Sequence, residues 1–60
     1  MLNKIIKLDK VKEHTTFSTA TIYRKIKQGE FPKQVKLSSR SAGWVEDEVL
    51  EYIENCINNR

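Results

Sequence analysis

The clearest periodic signal along the chain lies near its end. Val45, Val49, Tyr52, Ile53, Cys56 and Ile57 recur at i, i+4, i+7, i+8, i+11 and i+12, the spacing of one face of an α-helix. Glu46, Asp47 and Glu48 fall in its first turn, where negative side chains meet the positive end of the helix. The pattern predicts a helix over 46–58, with Asn58-Asn59-Arg60 fraying.

A second pattern sits in the first half. Ile22 and Ile26 lie within about 40° of each other on a helical wheel, with Gly29 nearby. Ala20, Arg24 and Lys27 fall opposite; Thr21, Lys25 and Gln28 flank one side and Tyr23 the other. This predicts a helix over 19–28 with a narrow apolar stripe and a wide, cationic, short-chained outer face. Ser18 suits the N-cap, since its hydroxyl can accept a free backbone N–H. Phe17 and Ile22 then take the hydrophobic-staple positions, while Thr21 at N3 leaves the capping box incomplete. Gly29 is placed for the left-handed residue after the helix, and Pro32 blocks continuation. Leu8 and Val11, at i, i+3, mark a shorter helix over 8–14. A helix under about 12 residues is marginal alone and must be held by packing. Thr15 to Ser18 is the break between the two helices.

Between the second and third helices the alternation has period two. Gln34-Val35-Lys36-Leu37 reads as a strand, Ser38-Ser39-Arg40-Ser41-Ala42 as a polar loop and Gly43-Trp44-Val45 as a return strand. Together they predict a hairpin over 34–45. Lys4-Ile5-Ile6-Lys7 is a short strand or an extended lead-in. Phe17, Phe31 and Trp44 are assigned to the core, Trp44 covering Ile26 and Val49, and Cys56 is assigned to it as a small buried apolar group. The order is helix, tight turn, helix, hairpin, helix. That is a mostly α fold with a small β-hairpin wing, a winged helix-turn-helix filling residues 1–60 as one domain. The third helix is its platform.

Composition narrows the function. Sixty residues make one small core, with little room for a buried catalytic cavity. A single cysteine, Cys56, excludes an internal disulfide and a multi-cysteine metal site, and suits a reducing cytoplasm. No apolar run approaches the roughly 18 residues of a membrane span, and the apolar stretch within Met1–Lys7 is too short for a signal peptide. A cytoplasmic, nucleoid-associated protein is expected. Net charge is +3, but residues 1–40 hold ten Lys/Arg against three acids, a balance of +7, and residues 41–60 hold one against five, a balance of −4. Such asymmetry suits one face for a polyanion and another turned away from it. Taken alone it equally fits an unevenly charged solvated surface.

Candidate chemistry gathers on the basic helix. Arg24, mid-helix on the outward face, can donate two hydrogen bonds to guanine or fork onto a phosphate. Thr19, Ala20 and Thr21 occupy the helix start, where bases are reached, and their short side chains allow close approach; capping explains Thr21 equally well. Tyr23 has two roles open to it, its ring in the core and its hydroxyl on a phosphate. Lys25, Lys27, Lys36 and Arg40 are candidate phosphate contacts, which set affinity and register rather than sequence preference. Ser38, Ser39 and Ser41 can donate to phosphates or serve the turn. Metal and catalysis find no support: the lone His14 has no partner at ligand spacing, and the acids from Glu46 to Glu54 form a solvated helix face. No cofactor, enzyme activity, small-molecule substrate or membrane is expected.

From Leu8 to about Ile53 the chain resembles the AlpA-type prophage regulators, within the excisionase-like, MerR-like winged-helix group. The likeness rests on Ser18-x-x-Thr21-Ile22-Tyr23-Arg24, Gly29-x-Phe31-Pro32-x-x-Val35-Lys36-Leu37, Gly43-Trp44 and Glu46-x-Glu48-Val49. It implies a phage or prophage DNA-binding protein acting on transcription, often of an integrase gene, or on excision directly. By similarity, Ser18–Gln28 is the recognition helix and the loop around Arg40 is the wing. Members of the group often carry a basic residue after the serine cap, where this chain has Thr19.

The expectation is therefore sequence-specific binding of double-stranded DNA. The DNA-binding set is Ser18, Thr19, Ala20, Thr21, Tyr23, Arg24, Lys25, Lys27, Lys36, Ser39 and Arg40, with 18–28 in the major groove and 38–41 on the backbone. The alternative is an architectural excisionase-like protein, or an interaction module whose acidic third helix docks an integrase, RNA polymerase or a second copy. Monomers on repeated sites are the expected form, and the starting Met1 argues against a fragment.

Overall fold

The computed structural model describes residues 4–60; the reading of Met1–Asn3 falls outside them. The elements run β1 (Ile5–Ile6), α1 (Leu8–Thr15), α2 (Thr19–Lys27), β2 (Val35–Lys36), β3 (Ala42–Val45) and α3 (Glu46–Asn58). This is the mostly helical architecture with a small β-wing that the hydrophobic pattern predicts, and it is consistent with a winged helix-turn-helix. Ile6, Val11, Ile22, Phe31, Trp44 and Val49 form the core, with Leu8, Phe17, Ile26, Tyr52 and Ile53 packed around it. Both α1 and α2 place one side chain in complete burial, Val11 and Ile22. Helices this short are held by such tertiary contacts rather than by propensity.

The hairpin becomes a three-stranded sheet. β3 is central, with β1 and β2 antiparallel on either side. Ile5 pairs with Val45 and Ile6 with Trp44; Val35 pairs with Gly43 and Lys36 with Ala42. The Glu46 N–H donates to the Lys4 carbonyl at 2.8 Å, so the pairing runs on to the start of α3. The alternative left open for Lys4–Lys7 is thus decided in favour of a strand. The pairing needs a glycine: a Cβ on Gly43 would stand 2.5 Å from Ile5 Cγ2 and 2.9 Å from the Ile6 carbonyl oxygen. β2 is shorter than the predicted 34–37, because Leu37 turns into the loop, and β3 is one residue longer than 43–45, because Ala42 joins the ladder.

The turn between α1 and α2 is tied by its own threonines. The Thr15 hydroxyl donates to the Val11 carbonyl at 2.9 Å and accepts the Phe17 N–H at 3.2 Å. Thr16 closes α1 at φ 62°, with its N–H on the Lys12 carbonyl at 2.7 Å. A β-branched residue is strained in that left-handed region. Phe17 then meets Phe31 and Tyr52 edge-on, at 6.4 Å between ring centroids in both pairs, and Phe31 meets Tyr52 at 4.8 Å. These three rings fasten the entry of α2 to α3. Trp44 is buried and its Nε1–H donates to the Pro32 carbonyl at 3.2 Å, fixing the link that leaves α2.

Two core assignments change. Cys56 is exposed rather than a small buried group, and Ile57, on the same predicted face, is 54% exposed. The reason is length: α3 has 13 residues and α1 only 8, about 20 Å against 12 Å at 1.5 Å per residue. The last turns of α3 run beyond the elements able to cover them. Burial accordingly fades from Val49 through the half-buried Tyr52 and Ile53 to Cys56.

Candidate nucleic-acid interface

The start of α2 is built as its sequence predicts. Ser18 is extended at φ −76°, ψ 163°, and its Oγ accepts the Thr21 N–H at 3.2 Å. The same hydroxyl donates to Thr21 Oγ1 at 2.9 Å. Ser18 is therefore committed to the cap, whereas the Thr21 hydroxyl keeps its own hydrogen to donate. The far end closes as a full Schellman motif. Gly29 sits at φ 76°, its N–H bonds the Ile26 carbonyl at 3.0 Å, and the Glu30 N–H bonds the Lys25 carbonyl at 2.8 Å. Gln28 is the cap, so the helix stops one residue before its predicted end.

Between these fixed ends α2 divides cleanly. Ile22 is fully buried and Ile26 half-buried beneath, while Ala20, Arg24 and Lys27 are exposed on the other side. Among the described residues, neither Arg24 nor Lys27 enters an ion pair or side-chain hydrogen bond. Thr19 and Thr21 are half-buried at the helix start. Tyr23 is 44% exposed, with its ring tilted against Trp44 at 6.4 Å. Its ring lies on the edge of the core, so both roles assigned to it are physically open.

Lys25 differs from its neighbours. Its Nζ lies 3.7 Å from Glu30 Oε1 and 5.5 Å from the Phe17 ring centroid. Where a Schellman motif commonly has a hydrophobic contact across its end, this helix has an ion pair and a cation–π contact. Lys25 is thus a clamp on the α2 terminus.

In the wing, Leu37 N–H and Ser38 N–H both donate to the Ser41 carbonyl, at 2.8 and 3.1 Å, and the Ser38 hydroxyl accepts the Arg40 N–H at 3.3 Å. Ser38 serves the turn, while Lys36, Ser39 and Arg40 stand exposed. Lys33, exposed in the link after Pro32 and in no ion pair among the described residues, is a further cation that the motif-based reading did not assign; its signal is its place between Pro32, held by Trp44, and the strand that starts at Val35. The supporting roles of Thr15 and of the Trp44–Pro32 bond were also not assigned, because a hydroxyl or indole N–H gives no periodic signature.

His14 Nε2 lies 3.4 Å from Glu46 Oε2, joining the end of α1 to the start of α3. Burial pushes the Tyr52 hydroxyl above its ordinary range, and a hydrogen bond and negative charge from Cys56, with Glu30 beyond, push the same way. Among the described residues there is no group of three His, Cys, Asp or Glu side chains arranged for a metal, and no helix is long and apolar enough to cross a membrane.

Residues 4–57 match the family model described as prophage CP4-57 regulatory protein (AlpA). The chain is also 32% identical over 57 residues to the uncharacterized protein ORF88 of Enterobacteria phage P4, an alignment covering 95% of this chain and 65% of that relative. The chain therefore spans a little under two thirds of the length of the curated relative it matches. The matched stretch runs from the strand preceding the helix-turn-helix to the last turn of α3, and on it the chain belongs to the AlpA family of prophage regulatory proteins.

Proposed function

We propose that the protein is a sequence-specific DNA-binding regulator of phage or prophage transcription. In this reading α2 enters the major groove, Arg24 reads a base edge or forks onto a phosphate, and Lys27, Lys36 and Arg40 neutralise phosphates. Ala20 and Thr21 approach the bases at the helix start, and the Ser38–Ser41 loop lies on the neighbouring backbone. The observation that carries it is the division of α2. A buried Ile22 anchors the helix from beneath while the side bearing Arg24 and Lys27 is left free and positive. Membership in a family of prophage regulators agrees with it. Bacterial cytoplasm is the compartment this function requires.

The test begins with selection of bound sequences from random DNA, which supplies the site and the half-site spacing. Arg24→Ala is then compared with the parent on that site by gel shift, with circular dichroism to check folding. A lost bidentate base contact costs about 1–3 kcal/mol. A folded variant that binds as tightly as the parent removes Arg24 from the interface.

A further inference from the structure

Of the exposed large apolar side chains away from α2, Ile5, Leu37, Leu50 and Ile57 form two patches of opposite character, and Val35 stands apart on β2. Ile5 and Leu37, 37% and 57% exposed, line a cleft of about 500 Å³ together with Leu8, between β1, the start of α1 and the wing. The charged groups on its walls are Lys7, Arg40 and Asp9, one cation in excess. The other patch is on α3. Leu50 and Ile57 are 42% and 54% exposed and, seven residues apart, share one edge of the helix within about 20°. Asp47 and Glu54 stand at i−3 and i+4 from Leu50, on the same side. Among the described residues, no ion pair involves Lys7, Arg40, Asp47 or Glu54. Arg60 stands beyond Ile57 at the end of the helix, so the ridge border carries one acid in excess; one surface is an apolar hollow with a net cationic rim, and the other an apolar ridge with a net acidic border.

We propose that the α3 ridge of one copy of this chain seats in the β1–α1–wing cleft of a second copy. The ridge presents apolar anchors at helical spacing, the form in which helices dock in grooves. Its border carries the charge opposite to the rim, which sets orientation and favours encounter. Because the two surfaces differ, the contact is heterologous: each copy added leaves one cleft and one ridge unfilled, so copies add in a row rather than closing as a symmetric pair. The cleft shares Arg40 and Ser41 with the wing that the DNA reading uses, so the contact is measured without DNA and stands or falls on its own.

Leu37→Asp spoils the cleft and Leu50→Asp spoils the ridge. Neither side chain belongs to the buried core, so the fold is expected to survive, which circular dichroism verifies. Sedimentation velocity at low salt follows each chain in a concentration series reaching hundreds of micromolar. The parent is expected to sediment faster as concentration rises and to form species larger than dimers. Each variant alone stays monomeric. An equimolar mixture forms dimers and nothing larger, since one ridge and one cleft remain intact between the two chains. A parent that stays monomeric throughout, a single variant that associates like the parent, or a mixture that stays monomeric overturns the proposal.

Discussion

Thr16 illustrates how a single residue can be placed against its own preference. It holds φ 62° at the end of α1, a conformation that costs an L-residue with a side chain roughly 1–2 kcal/mol. The turn tolerates this because the Thr15 hydroxyl and the Lys12 carbonyl bind the backbone on either side. Glycine would relieve the strain and give back part of the gain as chain entropy. Thr16→Gly is therefore expected to raise stability by about 0.5–1 kcal/mol, seen as a higher thermal midpoint; a lower midpoint would mean that the threonine contributes more than it strains. Arg24 and Cys56 mark the limits of reading at this scale. The exposure of Arg24 follows from its wheel position, which needs only its own helix. That of Cys56 contradicts its wheel position, because burial also needs a partner opposite.

At the scale of elements, α2 is the most legible. Its cap at Ser18, its stop at Gly29 and its buried Ile22 all depend on residues within a dozen positions of one another, and all stand where the pattern puts them. The basic residues of that helix are not equivalent, however. Lys27 is free, whereas Lys25 is joined to Glu30. Lys27→Glu is expected to weaken DNA binding and leave stability close to the parent, since exposed substitutions usually change it by under 0.5 kcal/mol. Lys25→Glu sets a carboxylate against Glu30 at the helix end, and is expected to lower the thermal midpoint as well. Equal midpoints for the two variants would show that the Lys25 clamp contributes nothing. The hairpin was legible only in part. Its turn residues are local, but the third strand is not: β1 pairs with β3 across some forty residues of chain, and two residues of strand carry too little alternation to announce themselves.

For the whole molecule, charge asymmetry along the sequence is a physical property only once the fold distributes it over surfaces. Of the basic residues of the first 40 positions, Arg24, Lys25, Lys27, Lys33, Lys36 and Arg40 come to stand on α2, the link after it and the wing, and Lys4, Lys7, Lys10 and Lys12 on or beside β1 and α1, while Asp47, Glu51 and Glu54 lie exposed on α3. If several of those cations meet phosphates, counterion release makes log affinity fall with log salt by about 0.9 per phosphate neutralised. Titrations from low to physiological salt are expected to give a slope corresponding to several contacts, reduced by about one in Lys36→Ala; a flat salt dependence would remove the electrostatic interface. The residue order alone determined the helices, the cap and stop of α2, the break between α1 and α2 and the cationic face, because each rests on short-range periodicity and on single residues with strong backbone preferences. Tertiary structure alone decided the third strand, the dependence on Gly43, the Lys25 clamp, the exposure of Cys56 and Ile57, and the cleft beside the wing. Those features are set by which distant segments meet and where the shorter helices end, and no local pattern in the chain carries that information.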